Sequence, residues 1–221
     1  EIQKCAMLCE WYAEHGPAML ADESAAMDGA TAYVSYLPLG TVLGIMPWNF
    51  PFWQVMRAAV PILLGGNGFM LKHARNVMGC AFLLEQAWLD AGLPVGVFSV
   101  IHVPSSQVEE VLGDARIAAV TLTGSGGAGA AVAAQAGKLC KKSVLELGGS
   151  DPFIVLADAD IDAAVEAGIK ARFSNAGQVC IAAKRFILEA PIAEEFTCKF
   201  VAKAKALTVG DPMDAGTKLA P

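Results

Sequence analysis

The sequence predicts an α/β protein built on a doubly wound, mostly parallel sheet, and three observations support this. From residue 41 onward short apolar runs alternate with segments of helical periodicity, the pattern of parallel strands joined by crossover helices. A glycine-rich turn, Thr123-Gly124-Ser125-Gly126-Gly127-Ala128-Gly129, falls between one apolar run and the next helical segment. The chain is 55% hydrophobic and only 17% charged, so most of its 221 residues belong to packed core.

Taken in order, residues 1 to 23 carry apolar side chains at Ala6, Leu8, Cys9, Trp11, Tyr12, Met19 and Leu20 among charges, which predicts one or two amphipathic helical stretches broken near Gly16-Pro17. Thr31 to Leu37 and Thr41 to Met46 read as strands separated by Pro38-Leu39-Gly40, a hairpin or meander. The strands expected next are Gly68 to Lys72, Val97 to Val103, Ala119 to Thr123 and Ser143 to Leu147. Between them come helices over Trp53 to Leu64, Val77 to Ala91, Ser106 to Leu112 and Ala128 to Ala136. Beyond Gly149, Asp151 to Leu156 is a strand, and Asp160 to Arg172 a helix with Asp160 as its N-cap. Phe186 to Glu189 is a further strand and Ile192 to Leu207 a helix. Two parts are expected, residues 1–147, N-terminal helices plus the doubly wound sheet, and 148–221, the beginning of a second α/β domain.

The formal net charge of −6, without a Lys/Arg cluster, argues against a nucleic-acid surface. No apolar run approaches the roughly 18 residues of a membrane span, and the opening Glu1-Ile2-Gln3-Lys4 lacks the pattern of a secretory signal. Six scattered cysteines, without disulfide-framework spacing, suit a reducing, cytoplasmic setting. Cys5 and Cys9 have the separation of a metal pair, but no second pair follows, so no metal site is expected. The chain starts without Met inside a helical stretch and ends at Lys218-Leu219-Ala220-Pro221 without a closing element, as a piece of a longer protein would.

Three residues supply the kit for covalent chemistry at a carbonyl. Cys180, in Asn175-Ala176-Gly177-Gln178-Val179-Cys180, is a thiol after a turn-like run, expected at a helix N-terminus where a thiolate is favoured. Glu146, in Leu145-Glu146-Leu147-Gly148-Gly149, is an acid at the carboxyl end of an apolar strand, where ligand sites of doubly wound sheets lie and where desolvation would raise its pKa toward that of a base. Asn49, in Pro47-Trp48-Asn49-Phe50-Pro51, offers an amide donor. The Gly124-Ser125 turn is placed to hold a pyrophosphate with backbone N–H groups, though it is out of register with the Gly-x-Gly-x-x-Gly fingerprint.

Pro47-Trp48-Asn49-Phe50-Pro51, Leu71-Lys72, Thr123-Gly124-Ser125, Leu145 to Gly149 and Gly177-Gln178-Val179-Cys180, in this order and spacing, resemble the aldehyde dehydrogenase superfamily. Leu71-Lys72-His73-Ala74 and Gly148 to Phe153 resemble its bacterial succinate semialdehyde dehydrogenase branch. The resemblance implies a Rossmann-like sheet and oxidation of an aldehyde through a Cys180 thioester. Asn49 and the Cys180 N–H would hold the oxyanion, NADP or NAD would take the hydride, and Glu146 would activate the hydrolytic water.

For the cofactor the resemblance implies Lys72 at the adenosine ribose, Gly124 and Ser125 at the pyrophosphate, and Met46, Trp48 and Leu147 lining the cleft. Arg75 stands where NAD-preferring relatives carry Glu, three positions after Lys72, and favours NADP. Arg57 matches an arginine that would pair with the distal carboxylate of succinate semialdehyde. A second family arginine is Ser174 here, with Arg172 nearby out of register. A homodimer or homotetramer is implied. Two rivals remain: a CoA-acylating relative, which would not need Glu146, and an inactive fragment with a structural or binding role.

Overall fold

The computed structural model describes residues 1–220. The chain falls into two compact units, Glu1–Leu147 and a second from Gly148 onward.

In the first unit a helix α1 (Ile2–Met19) is followed by two short strands, β1 (Glu23–Ala25) and β2 (Ala32–Val34). The rest alternates strand and helix: β3 (Thr41–Met46), α2 (Trp53–Leu64), β4 (Gly68–His73), α3 (Met78–Asp90), β5 (Phe98–Ile101), α4 (Val108–Gly113), β6 (Ile117–Gly124), α5 (Gly126–Lys138) and β7 (Lys142–Leu147). β3 to β7 form one five-stranded sheet in the order β5-β4-β3-β6-β7, with every pairing parallel, as expected. The order reverses between β3 and β6, the switch point where sheets of this kind open a crevice beyond the carboxyl ends of their strands.

Over β3, β4 and β6 both faces of the sheet are covered, as a parallel sheet requires, while the edge strand β7 is mostly exposed. On one face Phe69 and Leu71 of β4 and Met46 of β3 pack with Val55, Met56 and Ala59 of α2, Ala81 and Leu84 of α3, and Cys5 of α1. On the other, Leu43, Val120 and Leu122 pack with Leu112 of α4 and with Val132 and Ala136 of α5. The period-two alternation of β4, Phe69-Leu71 against Met70, is the direct cause of this split. Gly44 of β3 is fixed by the same packing, since a Cβ there would lie 2.2 Å from Phe69 Cζ.

Two local expectations are corrected. Residues 31–37 and 41–46 do not form a hairpin or meander. Only Ala32–Val34 is a strand, and it pairs antiparallel with β1, a segment the sequence did not mark, while Thr41–Met46 joins the parallel sheet. α1 is not broken at Gly16-Pro17, because the proline falls in its last turn and Gly16 packs against α2 so closely that a Cβ would meet Leu64 Cδ2 at 2.1 Å.

The second unit contains β8 (Asp151–Val155), α6 (Ile161–Phe173), β9 (Ala183–Leu188) and α7 (Ala193–Lys205), with β8 and β9 paired in parallel. Asp160 caps α6 as expected, accepting from Ala163 N–H at 3.0 Å. Val155, Val165, Ile169, Ile192 and Phe196 form its core, with Phe186 and Phe200 packed alongside at 4.8 Å between ring centroids. Ile154 and Ile187, on the opposite face of the two strands, are 61% and 48% exposed. Among the described residues no helix is long and apolar enough to cross a membrane.

Replacing Gly44 by Ala is expected to lower stability by about 1–3 kcal/mol, the cost of overpacking a filled core. Phe69, 1% exposed and stacked on Phe98, has no room to retreat. Urea denaturation checks this, and an unchanged midpoint would contradict the packing described for β3 and β4.

Candidate active site

The site residues of the first unit gather because parallel register aligns strand ends. Met46 pairs with His73, Ile45 with Lys72, Thr123 with Glu146 and Gly124 with Leu147, so these residues share the carboxyl edge of the sheet. Trp48 and Asn49 follow directly, in the segment between β3 and α2, Trp48 exposed and Asn49 half-buried.

A cleft of about 370 Å³ opens beside this edge, lined by Ile45, Lys72, Leu122, Val132, Gln135 and Lys138 among others. Lys72 also borders a second depression with His73, Arg75, His102 and Ser105. Partial burial pushes the Lys72 ammonium below the ordinary lysine range, by desolvation. Ser125 is the N-cap of α5, its Oγ accepting from Ala128 N–H at 3.2 Å, and that geometry leaves the hydroxyl proton available for donation. The first N–H groups of a helix have no partner within it, so the turn combines donors with a positive dipole end. Gly129 lets α5 approach β7, since a Cβ there would be 2.6 Å from Leu147 Cδ2.

A nucleotide cofactor fits this arrangement. The cleft offers apolar walls and the cations Lys72 and Lys138, and the N-terminus of α5, just outside its lining, stands at the same strand edge, the features a dinucleotide of this kind needs.

Glu146 is not desolvated as expected. Its side chain is 54% exposed and its Oε2 lies 3.4 Å from Arg57 Nη1. Arg57 Nη2 also donates to Thr123 Oγ1 at 3.3 Å. Thr123 and Glu146 are cross-strand partners, so one guanidinium spans the ends of β6 and β7. At this exposure the ion pair contributes about 0–1 kcal/mol and is readily opened.

In the second unit Cys180 is half-buried and does not stand at a helix N-terminus. Residues 178–182 form a turn leading into β9. Before it, Asn175, Ala176 and Gly177 all adopt positive φ, at 50°, 55° and 76°. Three successive residues in the left-handed region are costly without glycine, and the surrounding contacts impose them. Arg172, whose role the sequence left open, donates to Gly177 O at 3.3 Å and Ala183 O at 3.0 Å, bracketing the cysteine. Lys184 Nζ donates to Cys180 O at 2.9 Å and Gly149 O at 2.6 Å. Neither clamp was read from the sequence, because what they hold is main-chain oxygen, which no motif records.

Cys5 and Cys9 lie on the core side of α1, and burial pushes both thiols up. Among the described residues no disulfide forms and no group of His, Cys, Asp and Glu is placed to hold a metal ion.

A strand-end nucleotide cleft in one unit and a cysteine loop in the other define a dehydrogenase-like architecture. Over residues 1–221 the chain matches the aldehyde dehydrogenase family, and it belongs to that family. It is 59% identical over 221 residues, covering 100% of this chain and 48% of the other, to the protein of Escherichia coli (strain K12) named succinate semialdehyde dehydrogenase (NAD(P)+) Sad. It is 51% identical over 224 residues, 100% of this chain and 49% of the other, to succinate-semialdehyde dehydrogenase (NADP+) 1 of Mycobacterium tuberculosis (strain ATCC 25618 / H37Rv). The structure of succinic semialdehyde dehydrogenase from Streptococcus pyogenes with NADP+ superposes with a TM-score of 0.94 at 38% identity, covering 97% of this chain and 47% of that one. The chain thus spans about half the length of the curated relatives it matches.

The positive-φ turn before Cys180 makes Gly177→Ala a direct probe. A Cβ there would meet Arg172 Nη2 at 2.3 Å and Arg172 O at 3.0 Å. The substitution is expected to cost about 1–3 kcal/mol, seen as a lower thermal midpoint. A variant as stable as the parent would refute the bracketing role of Arg172.

Proposed function

We propose that the full-length protein oxidises an acidic aldehyde, succinate semialdehyde, to the corresponding dicarboxylate, with NADP+ favoured over NAD+. The observation that carries this is the 59% identity along all 221 residues to a protein named for that activity. The strand-end cleft supports it by supplying the features a dinucleotide needs.

In this proposal the Cys180 thiolate attacks the aldehyde carbon. The oxyanion that develops accepts hydrogen bonds from the Asn49 side-chain amide and the Cys180 N–H. The bound nicotinamide cofactor supplies the hydride acceptor. Glu146 then takes a proton from water, whose oxygen attacks the thioester, and the thiolate leaves with the carboxylate released. Lys72, which borders the cleft, and Gly124, Ser125, Met46, Trp48 and Leu147, which lie at or just beyond the same strand edge outside its lining, are the residues that would hold and orient the dinucleotide. Arg75 pairs with a 2′-phosphate, which a carboxylate in its place would repel.

The Arg57–Glu146 pair bears on the substrate. An acidic aldehyde brings a second carboxylate that competes for Arg57 and so frees Glu146 from the ion pair. The weakness of the exposed pair makes this exchange inexpensive. Six cysteines without a disulfide suit a reducing cytoplasm, and the family likeness suits a homodimer or homotetramer.

In the full-length protein Cys180→Ala is expected to abolish NAD(P)+-dependent aldehyde oxidation. Undiminished turnover would sink the assignment. Arg57→Leu is expected to lower kcat/KM for succinate semialdehyde by about tenfold or more relative to a neutral aldehyde of similar length, the worth of a charge-assisted pair. Equal losses on the two substrates would remove the argument for an acidic aldehyde.

A further inference from the structure

We propose that His73 is a positioning residue that fixes the segment carrying Asn49, an inference that rests on the reading of Asn49 as oxyanion donor.

The alternation of β4 places His73 on the face shared by Phe69 and Leu71, and it is as buried as they are, at 2% exposure. A buried imidazole on an apolar strand face is costly unless its nitrogens are used. Both are. Nε2 lies 2.9 Å from Pro51 O, and because a carbonyl cannot donate, Nε2 carries a proton and donates it. Nδ1 accepts from Ala74 N–H at 2.9 Å and sits 3.2 Å from Met46 O.

In this tautomer the ring donates only to Pro51 O, the main-chain oxygen that follows residues 47–50, the stretch that contains Asn49, while Met46 O before that stretch is a close neighbour of Nδ1 and not its hydrogen-bond partner. That stretch needs such a contact. Pro47 and Pro51 have no N–H, so the segment has fewer donors with which to tie itself to the sheet. Its far side is tied by Glu1 Oε1, which accepts from Phe52 N–H at 3.0 Å and Trp53 N–H at 2.8 Å. His73 is an anchor on the sheet side. It follows Lys72 directly, so the strand end that borders the cofactor cleft is also the one that holds the Asn49 segment. An ordinary core histidine would contribute stability alone. A positioning histidine must also govern turnover, because oxyanion donors act only when aligned.

The test uses the full-length protein with His73→Leu, His73→Gln and His73→Asn. A glutamine amide nitrogen reaches about where Nε2 stands and keeps the donor to Pro51 O, whereas asparagine reaches only the Nδ1 position. His73→Leu and His73→Asn are expected to lower kcat by about tenfold to a hundredfold, while the Kd for NADP+ changes by less than about threefold. His73→Gln should recover kcat to within about threefold of the parent. Amide hydrogen exchange at Trp48 to Phe50, read without substrate, should rise for Leu and Asn and not for Gln. Parent-like kcat and exchange in His73→Asn, or a His73→Gln as impaired as His73→Asn, would overturn the proposal, and this pair decides it even if His73→Leu fails to fold. If Cys180→Ala retained turnover, the proposed function would fall, yet the exchange comparison would still decide whether His73 holds the segment.

Discussion

Parallel strand register is the constraint on which the first unit depends. Because β5, β4, β3, β6 and β7 all run the same way, their carboxyl ends share one edge, and residues distant in sequence become neighbours there. Met46 lies beside His73, Ile45 beside Lys72, and Gly124 beside Leu147 for this reason alone. The register is held by burial on both faces. Phe69 and Leu71 belong to one core and Leu43, Val120 and Leu122 to the other, so a slip of one residue would exchange every side chain between them. Gly44 removes the one Cβ that would keep Phe69 from closing over β3.

The segments bearing the proposed nucleophile and oxyanion donor are irregular, and in both units side chains bonded to backbone carbonyls hold them. Arg172 and Lys184 bind oxygens around Cys180, and His73 binds Pro51 O after Asn49. Regular ladders stop at the strand ends, so residues beyond them need other partners for their main-chain groups. A cation can reach several carbonyls at once and a neutral imidazole one, which fixes a loop without dictating its φ and ψ. The cluster of positive φ at Asn175, Ala176 and Gly177 ends at the carbonyl that Arg172 binds.

Much of the fold was legible in the sequence because hydrophobic period carries it. The limits of β3 and α2 agree with their periodic runs, and Asp160 caps α6 as its position before an apolar helix implied. The β1–β2 pair escaped notice because Glu23–Ala25 is exposed throughout and has no apolar alternation to mark it. Gly16-Pro17 suggested a break that packing against Leu64 overrode. No helix begins at Cys180, because Ile181-Ala182-Ala183 after it is too short an apolar run to separate helix from the approach to a strand, and β9 takes Ala183. Motif order marked Asn49, Glu146, Lys72, Gly124, Ser125 and Cys180 as candidates. It did not mark the Arg57–Glu146 pair, whose partners are brought together only by the sheet. His73 had a usable signal, since it occupies the buried phase of β4 where an apolar residue would be the default.

In the proposed function Cys180 carries the acyl group and Glu146 releases it. The most direct measurement is peptide mass spectrometry of the full-length Glu146→Gln protein, quenched in acid after mixing with succinate semialdehyde and NADP+. One equivalent of reduced cofactor per active site is expected, followed by a stall, with a succinyl thioester on the peptide containing Cys180. Sustained turnover with that peptide unmodified, or an acyl group on another cysteine, would contradict it.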